Sequence, residues 1–245
     1  MRKHNLHTHT NYSDGKLPPE KLVEIAEQTS LKILGISDHA FTKKMKGYQI
    51  TGNLLQYLEY LRKIQSSSTK IDVRIGIEID ASGKYGIDPS ETPLDVLNKF
   101  DYVLFEYVNT ELEYWGEVGV RDISEITKVR DRLKVPVGLA HNDMQNNYRG
   151  REKDIAALLA ENDIFVELCQ SEFSTRRGAG RNTRNEKDYY QHFSQKLIDE
   201  LLGNDVKVVV GSDFHGHDYV GNLDDLDDVY QFIERNNLQY HEIVL

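Results

Sequence analysis

Cysteine and tryptophan are scarce in this chain, with one of each, Cys169 and Trp115, among 245 residues. A lone cysteine excludes an internal disulfide and suits a reducing compartment. Long apolar runs are missing as well, since nothing approaches the roughly 20 residues of a membrane span. The N-terminus lacks a signal-peptide core and passes straight into a strand pattern, so the expected location is cytoplasmic. Cations are outnumbered: 30 Lys and Arg against 40 Asp and Glu leave a net charge of −10 and a pI near 5.4. Such a surface repels a phosphate backbone, which disfavours long nucleic acid or a membrane surface as partner but leaves room for a local basic pocket. Hydrophobic content of 39% and charged content of 29% describe a globular chain able to bury a substantial core.

What the chain does have is a repeated device. Asn5-Leu6-His7-Thr8-His9-Thr10 places two histidines one residue apart, and on an extended strand their imidazoles share a face. Four later runs end in metal-ligand residue types. Ile33 to Ser37 runs into Asp38-His39, and Val73 to Ile77 into Glu78. Val135 to Ala140 runs into His141, and Val206 to Ser212 into Asp213-Phe214-His215. Each run is short, apolar and rich in β-branched residues, as buried strands are. In a barrel of parallel strands the C-terminal ends form the active-site face. One shared site explains why ligand types fall repeatedly at that end.

Taken in order, the spacing predicts a helix after Pro18-Pro19 carrying Leu22, Val23, Ile25 and Ala26, and a second over Leu54 to Ile64 followed by a Gln65–Ser68 loop. It predicts strands over 71–79 and 102–105, with a short helix at 93–99 between them. Helix 122–133, strand 135–140, helix 152–162, strand 164–168, a long loop 171–187 and helix 188–203 follow. After the strand ending at Asp213 come a helix at 226–236 and a last strand at 240–244. Strand and helix alternate about seven times without a linker, which argues for parallel strands in one domain spanning 1–245. A closed barrel fits better than an open sheet, because ligands come from nearly every strand.

With those residues in view, the sequence resembles the PHP family (polymerase and histidinol phosphatase domains). The resemblance rests on His7-Thr8-His9, Asp14-Gly15, Ser37-Asp38-His39, Gly76-Ile77-Glu78, Ala140-His141 and Ser212-Asp213-Phe214-His215. It implies a distorted (β/α)7 barrel with two to three divalent ions (zinc, manganese or iron) at its C-terminal face, and phosphoester hydrolysis. Carried over, it implies one metal on His7, His9, Glu78 and Asp213. A second would share Glu78 and use His141, and a third would take Asp14, His39 and His215. Family members commonly carry a histidine after the fourth strand. Here that segment reads Leu104-Phe105-Glu106-Tyr107-Val108-Asn109, so Glu106 is the candidate replacement ligand, and a carboxylate there would favour harder metals.

Clustered divalent metals suit phosphoester hydrolysis because they lower the pKa of a water and neutralise charge on the transferring oxygens. Asp38, beside His39, is a candidate to orient a ligand imidazole. A metal-held phosphate calls for a cation as well. Arg176 and Arg177, in the arginine-rich stretch 174–184, and Arg149 are the candidates, because the guanidinium fork suits bidentate phosphate binding. A solvated loop or an interface explains that stretch equally well. His4, His192 and His241 read as structural or surface histidines, while Glu167 points either to the site or to a structural partner. The expected activity is hydrolysis of a small phosphomonoester, as by histidinol-phosphate phosphatase. The alternatives are a nucleotide or short-oligonucleotide phosphodiesterase, a metal-dependent amidohydrolase, and a binding protein with an impaired site.

Overall fold

The computed structural model describes residues 2–43, 50, 53–83, 85–109, 122–171, 189–216 and 223–243. Nine strands, all paired in parallel, form one curled sheet. They are β1 (His4–Asn5), β2 (Ile33–Ile36), β3 (His39–Ala40), β4 (Asp72–Asp80), β5 (Tyr102–Glu106), β6 (Val137–Leu139), β7 (Ile164–Cys169), β8 (Lys207–Gly211) and β9 (Gln239–Tyr240). Both β2 and β3 pair with β4, so they are two halves of one strand interrupted at Ser37-Asp38. The sheet curls until the chain following β1 meets β8. Leu6 N–H bonds to the Val210 carbonyl at 2.9 Å, and Phe214 N–H to the His7 carbonyl at 3.2 Å. This is the TIM-like barrel expected from the strand–helix alternation, distorted as the family resemblance implies.

The closure is not regular. At the N-terminal end β9 pairs with β8, and Val210 N–H donates to the His4 side chain instead of to a backbone carbonyl. The last strand therefore covers 239–240, short of the expected 240–244, and it works as a wedge between β8 and the start of the chain.

The outer layer holds α1 (Pro19–Ala26), α2 (Leu54–Ser67), α3 (Leu94–Leu97), α4 (Ser124–Arg130), α5 (Met144–Asn147), α6 (Glu152–Glu161), α7 (Gln195–Gly203) and α8 (Asp227–Asn236). Proline at N1 starts α1, where its missing N–H costs nothing. Helix α2 outlasts its expected end at Ile64, because the Ser66 and Ser67 hydroxyls bond back to the carbonyls of Lys63 and Ile64. The expected helix over 188–203 is two pieces, a 3-10 turn at Tyr189–His192 and then α7. Ser194 is extended and its hydroxyl accepts the Leu197 N–H, so it caps a new helix.

Period-2 alternation sorts each strand between two cores. Val103 and Phe105 of β5 face the helices, as do Val166 and Leu168 of β7. Tyr102 and Leu104, with Phe165 and Val209, fill the barrel interior. Gly76 makes room for this plug, since a Cβ there would lie 2.2 Å from Tyr102 Cζ. The Tyr102 hydroxyl donates to the Leu6 carbonyl, tying the plug to β1. Above this apolar floor the same inward positions turn polar, at Glu78, Glu106, Glu167 and Asp213.

Candidate metal centre

Polar side chains from β4, β5, β7 and the segments after β1, β6 and β8 converge above the floor. His7 Nε2 faces His9 Nε2 at 3.0 Å, Glu78 Oε2 at 3.3 Å and Asp213 Oδ1 at 3.4 Å. His9 Nε2 lies 2.9 Å from the same Asp213 oxygen. All four side chains are buried, and Glu78 Oε2 has no hydrogen-bond partner. Bonds of about 2.1 Å to a tetrahedral ion would set neighbouring ligand atoms about 3.4 Å apart, and the observed separations match that spacing. The chemistry of the donors fits a cation too. Glu167 can only accept, so the His7 Nδ1 at 2.9 Å from it carries the proton, and the neutral ring then presents a bare lone pair at Nε2.

A second group gathers around Asp14. Its Oδ2 lies 3.0 Å from His215 Nε2, and its Oδ1 lies 3.7 Å from His39 Nε2 and 3.8 Å from His9 Nδ1. Asp14 Oδ1 is another buried oxygen without a hydrogen-bond partner. A third group brings His39 Nδ1 within 2.9 Å of Glu78 Oε2 and 3.4 Å of Glu106 Oε1. His141 Nε2 approaches the other Glu78 oxygen, Oε1, at 3.1 Å. Glu78 therefore sits at the hub, its two oxygens serving different neighbours. A neutral imidazole offers one lone pair, so His9 and His39 can each serve one group at a time.

The electrostatics follow from this crowding. Burial opposes charge on His7 and His39. The carboxylates Glu167 and Glu78 for the first, and Glu78 and Glu106 for the second, outweigh it and hold both imidazoles well above their usual pKa. Burial likewise opposes charge on Glu78, but His7 and His39 keep its pKa well below the carboxylate range. His9 goes the other way: burial and the neighbouring His215 and His39 lower it. The pocket thus draws positive charge into a buried anionic cluster, as a proton or as a metal ion.

Backbone strain concentrates at the same rim. Tyr107, Asn109, His141 and Asp213 all adopt positive φ, at 60°, 52°, 29° and 52°. Non-glycine residues hold such angles when the surroundings over-determine them, often at functional sites. The Tyr107 ring stands edge-on to His141 with centroids 6.1 Å apart.

Asp38 accepts from Thr10 N–H at 2.6 Å, Thr10 Oγ1 at 2.6 Å, Ser13 Oγ at 2.5 Å and Tyr57 Oη at 2.5 Å. Its oxygens hold the turn that carries Asp14 and the Tyr57 hydroxyl of α2, and they reach an imidazole through Ser13, whose hydroxyl lies 3.4 Å from His9 Nδ1. Arg149 is exposed and donates to Asn146 at 3.1 Å, a contact away from the ligand cluster. Arg176 and Arg177 lie outside the described residues. Glu167, left open by the sequence, faces the site: besides His7 it takes the backbone N–H of His141 at 2.7 Å. Its inward parity with Phe165 was the available signal.

No curated protein matches the chain in sequence. Among solved structures, histidinol phosphate phosphatase from Lactococcus lactis subsp. lactis, crystallised with zinc, L-histidinol and phosphate, is similar with a TM-score of 0.65. The identity is 18%, over 98% of this chain and 95% of that one. A proposed metal-dependent phosphoesterase from Bifidobacterium adolescentis is similar at a TM-score of 0.40 and 16% identity, over 96% of each chain. The PHP domain model matches residues 5–203; the chain belongs to the PHP domain family.

Proposed function

We propose that this PHP-domain phosphoesterase hydrolyses a small phosphomonoester, using two or three divalent cations. The carrying observation is the convergence of His7 Nε2, His9 Nε2, Glu78 Oε2 and Asp213 Oδ1 on one buried point. Asp14, His39 and His215 would hold a second ion, leaving Glu78, Glu106 and His141 for another. When bound, such ions lower the pKa of a water and neutralise charge on the transferring oxygens.

The chain's own residues prepare this chemistry. Glu167 fixes the His7 tautomer and draws in the His141 backbone. Asp38 holds the Thr10–Ser13 turn, which presents Asp14. Burial of the cluster keeps bulk water from competing for its lone pairs. Arg176 and Arg177 are the proposed cationic partners of the phosphate.

The acidic surface and the likeness of the whole chain to a histidinol phosphate phosphatase both support a small substrate over a polynucleotide. The test is phosphate release from p-nitrophenyl phosphate and a panel of phosphorylated metabolites, run beside bis-p-nitrophenyl phosphate. The expected result is phosphomonoester turnover that disappears on chelation and returns with added metal. Turnover confined to the diester, or none with any divalent ion, overturns the reading.

A further inference from the structure

We infer that Glu106 makes the position it shares with Glu78 an oxygen-rich site selective for a hard divalent cation of the manganese type, unlike its neighbours, which hold two or more imidazoles. This rests on the metal-dependent reading above. Glu106 is the last residue of β5, and period 2 carries it inward after Tyr102 and Leu104. Next to it in register stands Asp80, whose carboxylate is engaged by the Thr42 hydroxyl at 2.7 Å and the Ser82 N–H at 2.8 Å. Glu106 instead turns to the centre, where His39, Glu78 and Glu106 each place one ligand atom within 4.8 Å of the others. All three are buried, and the Glu78 Oε2 aimed into this group has no hydrogen-bond partner.

The ligand count separates the positions. His7, His9, Glu78 and Asp213 supply two nitrogens and two oxygens, while the second group sets His9, His39 and His215 beside the one Asp14 carboxylate. The Glu106 group supplies two carboxylates and a single imidazole, from His39 here or from His141 when His39 serves Asp14. Affinity for zinc exceeds that for manganese at nitrogen and oxygen sites alike, and imidazole, a softer donor than carboxylate, widens that lead. Carboxylate oxygens are harder donors and suit manganese, so the Glu106 position is where a harder ion can compete. The prediction is a mixed-metal centre whose composition is set by one side chain.

The test equilibrates the full chain against buffered Zn2+ and Mn2+ together. Bound metal is then counted by mass spectrometry, and Mn2+ is read by electron paramagnetic resonance. Wild type is expected to hold one Mn2+ beside zinc. Glu106→Gln should lose that Mn2+, its affinity falling at least about tenfold, with zinc content unchanged. Glu106→His should replace the Mn2+ with zinc. Circular dichroism melts check that both variants are folded, and Glu106→Asp, which retains a carboxylate, should retain Mn2+ if the larger substitutions disturb the barrel. Mn2+ content unaffected by Glu106→Gln and Glu106→His, or only zinc bound in wild type, overturns this inference while leaving the phosphatase reading intact. A chain that binds no divalent ion would defeat both.

Discussion

Glu167 lies with both carboxylate oxygens against His7 Nδ1, at 2.9 and 3.0 Å. That contact decides which ring nitrogen of His7 is bare, because an acceptor-only group forces the proton onto Nδ1. Glu167→Gln offers one oxygen and one N–H where two oxygens stood, so the tautomer is no longer imposed. Zinc affinity is expected to fall about 10- to 100-fold, measured by competition with a chromogenic chelator. Unaltered affinity would mean that His7 is oriented by packing alone.

This pair also shows how far the sequence could be read. His7 and His9 were legible as two imidazoles on one strand face, and Glu78, His141 and Asp213 because each ends a short apolar run, and strand ends gather on one face of a barrel. Glu106 was legible only through the resemblance, from its place in the segment where family members commonly carry a histidine. Glu167 was not resolvable, because a carboxylate at an inward strand position can serve a metal, a ligand imidazole or a buried cation, and only the positions of His7 and His141 choose among them. Asp38 was legible as a site residue but not in its partners, since Tyr57 comes from α2, and no local pattern ties that hydroxyl to the turn after β1. The break at Ser194 and the wedge at β9 were hidden for another reason. Each depends on one hydrogen-bond acceptor, the Ser194 hydroxyl or the His4 ring, that hydrophobic periodicity does not weigh.

Asp38→Asn tests the positioning of Asp14. The carboxylate accepts four hydrogen bonds, and an amide can satisfy only those at its oxygen. Donors stranded inside the barrel rim should cost about 2–4 kcal/mol, given about 1–3 kcal/mol per buried unmet group. Urea unfolding reads that loss. Metal analysis should show less than the full complement, because the turn no longer presents Asp14 to His215. A variant that is destabilised but fully metallated would show that Asp14 holds its place without the turn.

Gly76→Ala probes the barrel plug. The new methyl would meet the Tyr102 ring at 2.2 and 2.4 Å, and the ring cannot retreat while its hydroxyl is held by the Leu6 carbonyl. Overpacking of this kind costs about 1–3 kcal/mol. Tyr102→Leu should relieve the clash, so the double variant is expected to lose less stability than the two single losses added together. Strict additivity in urea unfolding would place the methyl somewhere other than against the ring.

His4 gives the fold a pH dependence of its own, at the end of the barrel opposite the metal-ligand cluster. Its Nε2 accepts the Val210 N–H at 2.8 Å, and its Nδ1 meets the Tyr240 hydroxyl at 2.7 Å. Burial, helped by the nearby His241, lowers its pKa from 6.5 to about 3. Protonation would put a hydrogen on Nε2, where the Val210 N–H already points. Because the folded value lies below the unfolded one, the unfolded chain binds the extra proton in the interval between them. The contribution to stability is therefore complete above the unfolded value and is lost progressively as pH falls from about 6.5 toward 3. Going from pH 7 to pH 5, wild type should lose about 2 kcal/mol more than His4→Gln. The glutamine oxygen can still accept the Val210 N–H but does not titrate, so urea unfolding of the two chains at matched pH isolates this one ring. Equal pH slopes would mean that His4 titrates in the folded chain as it does in the unfolded one, the carbonyl and hydroxyl groups around it having moved to accept the charge.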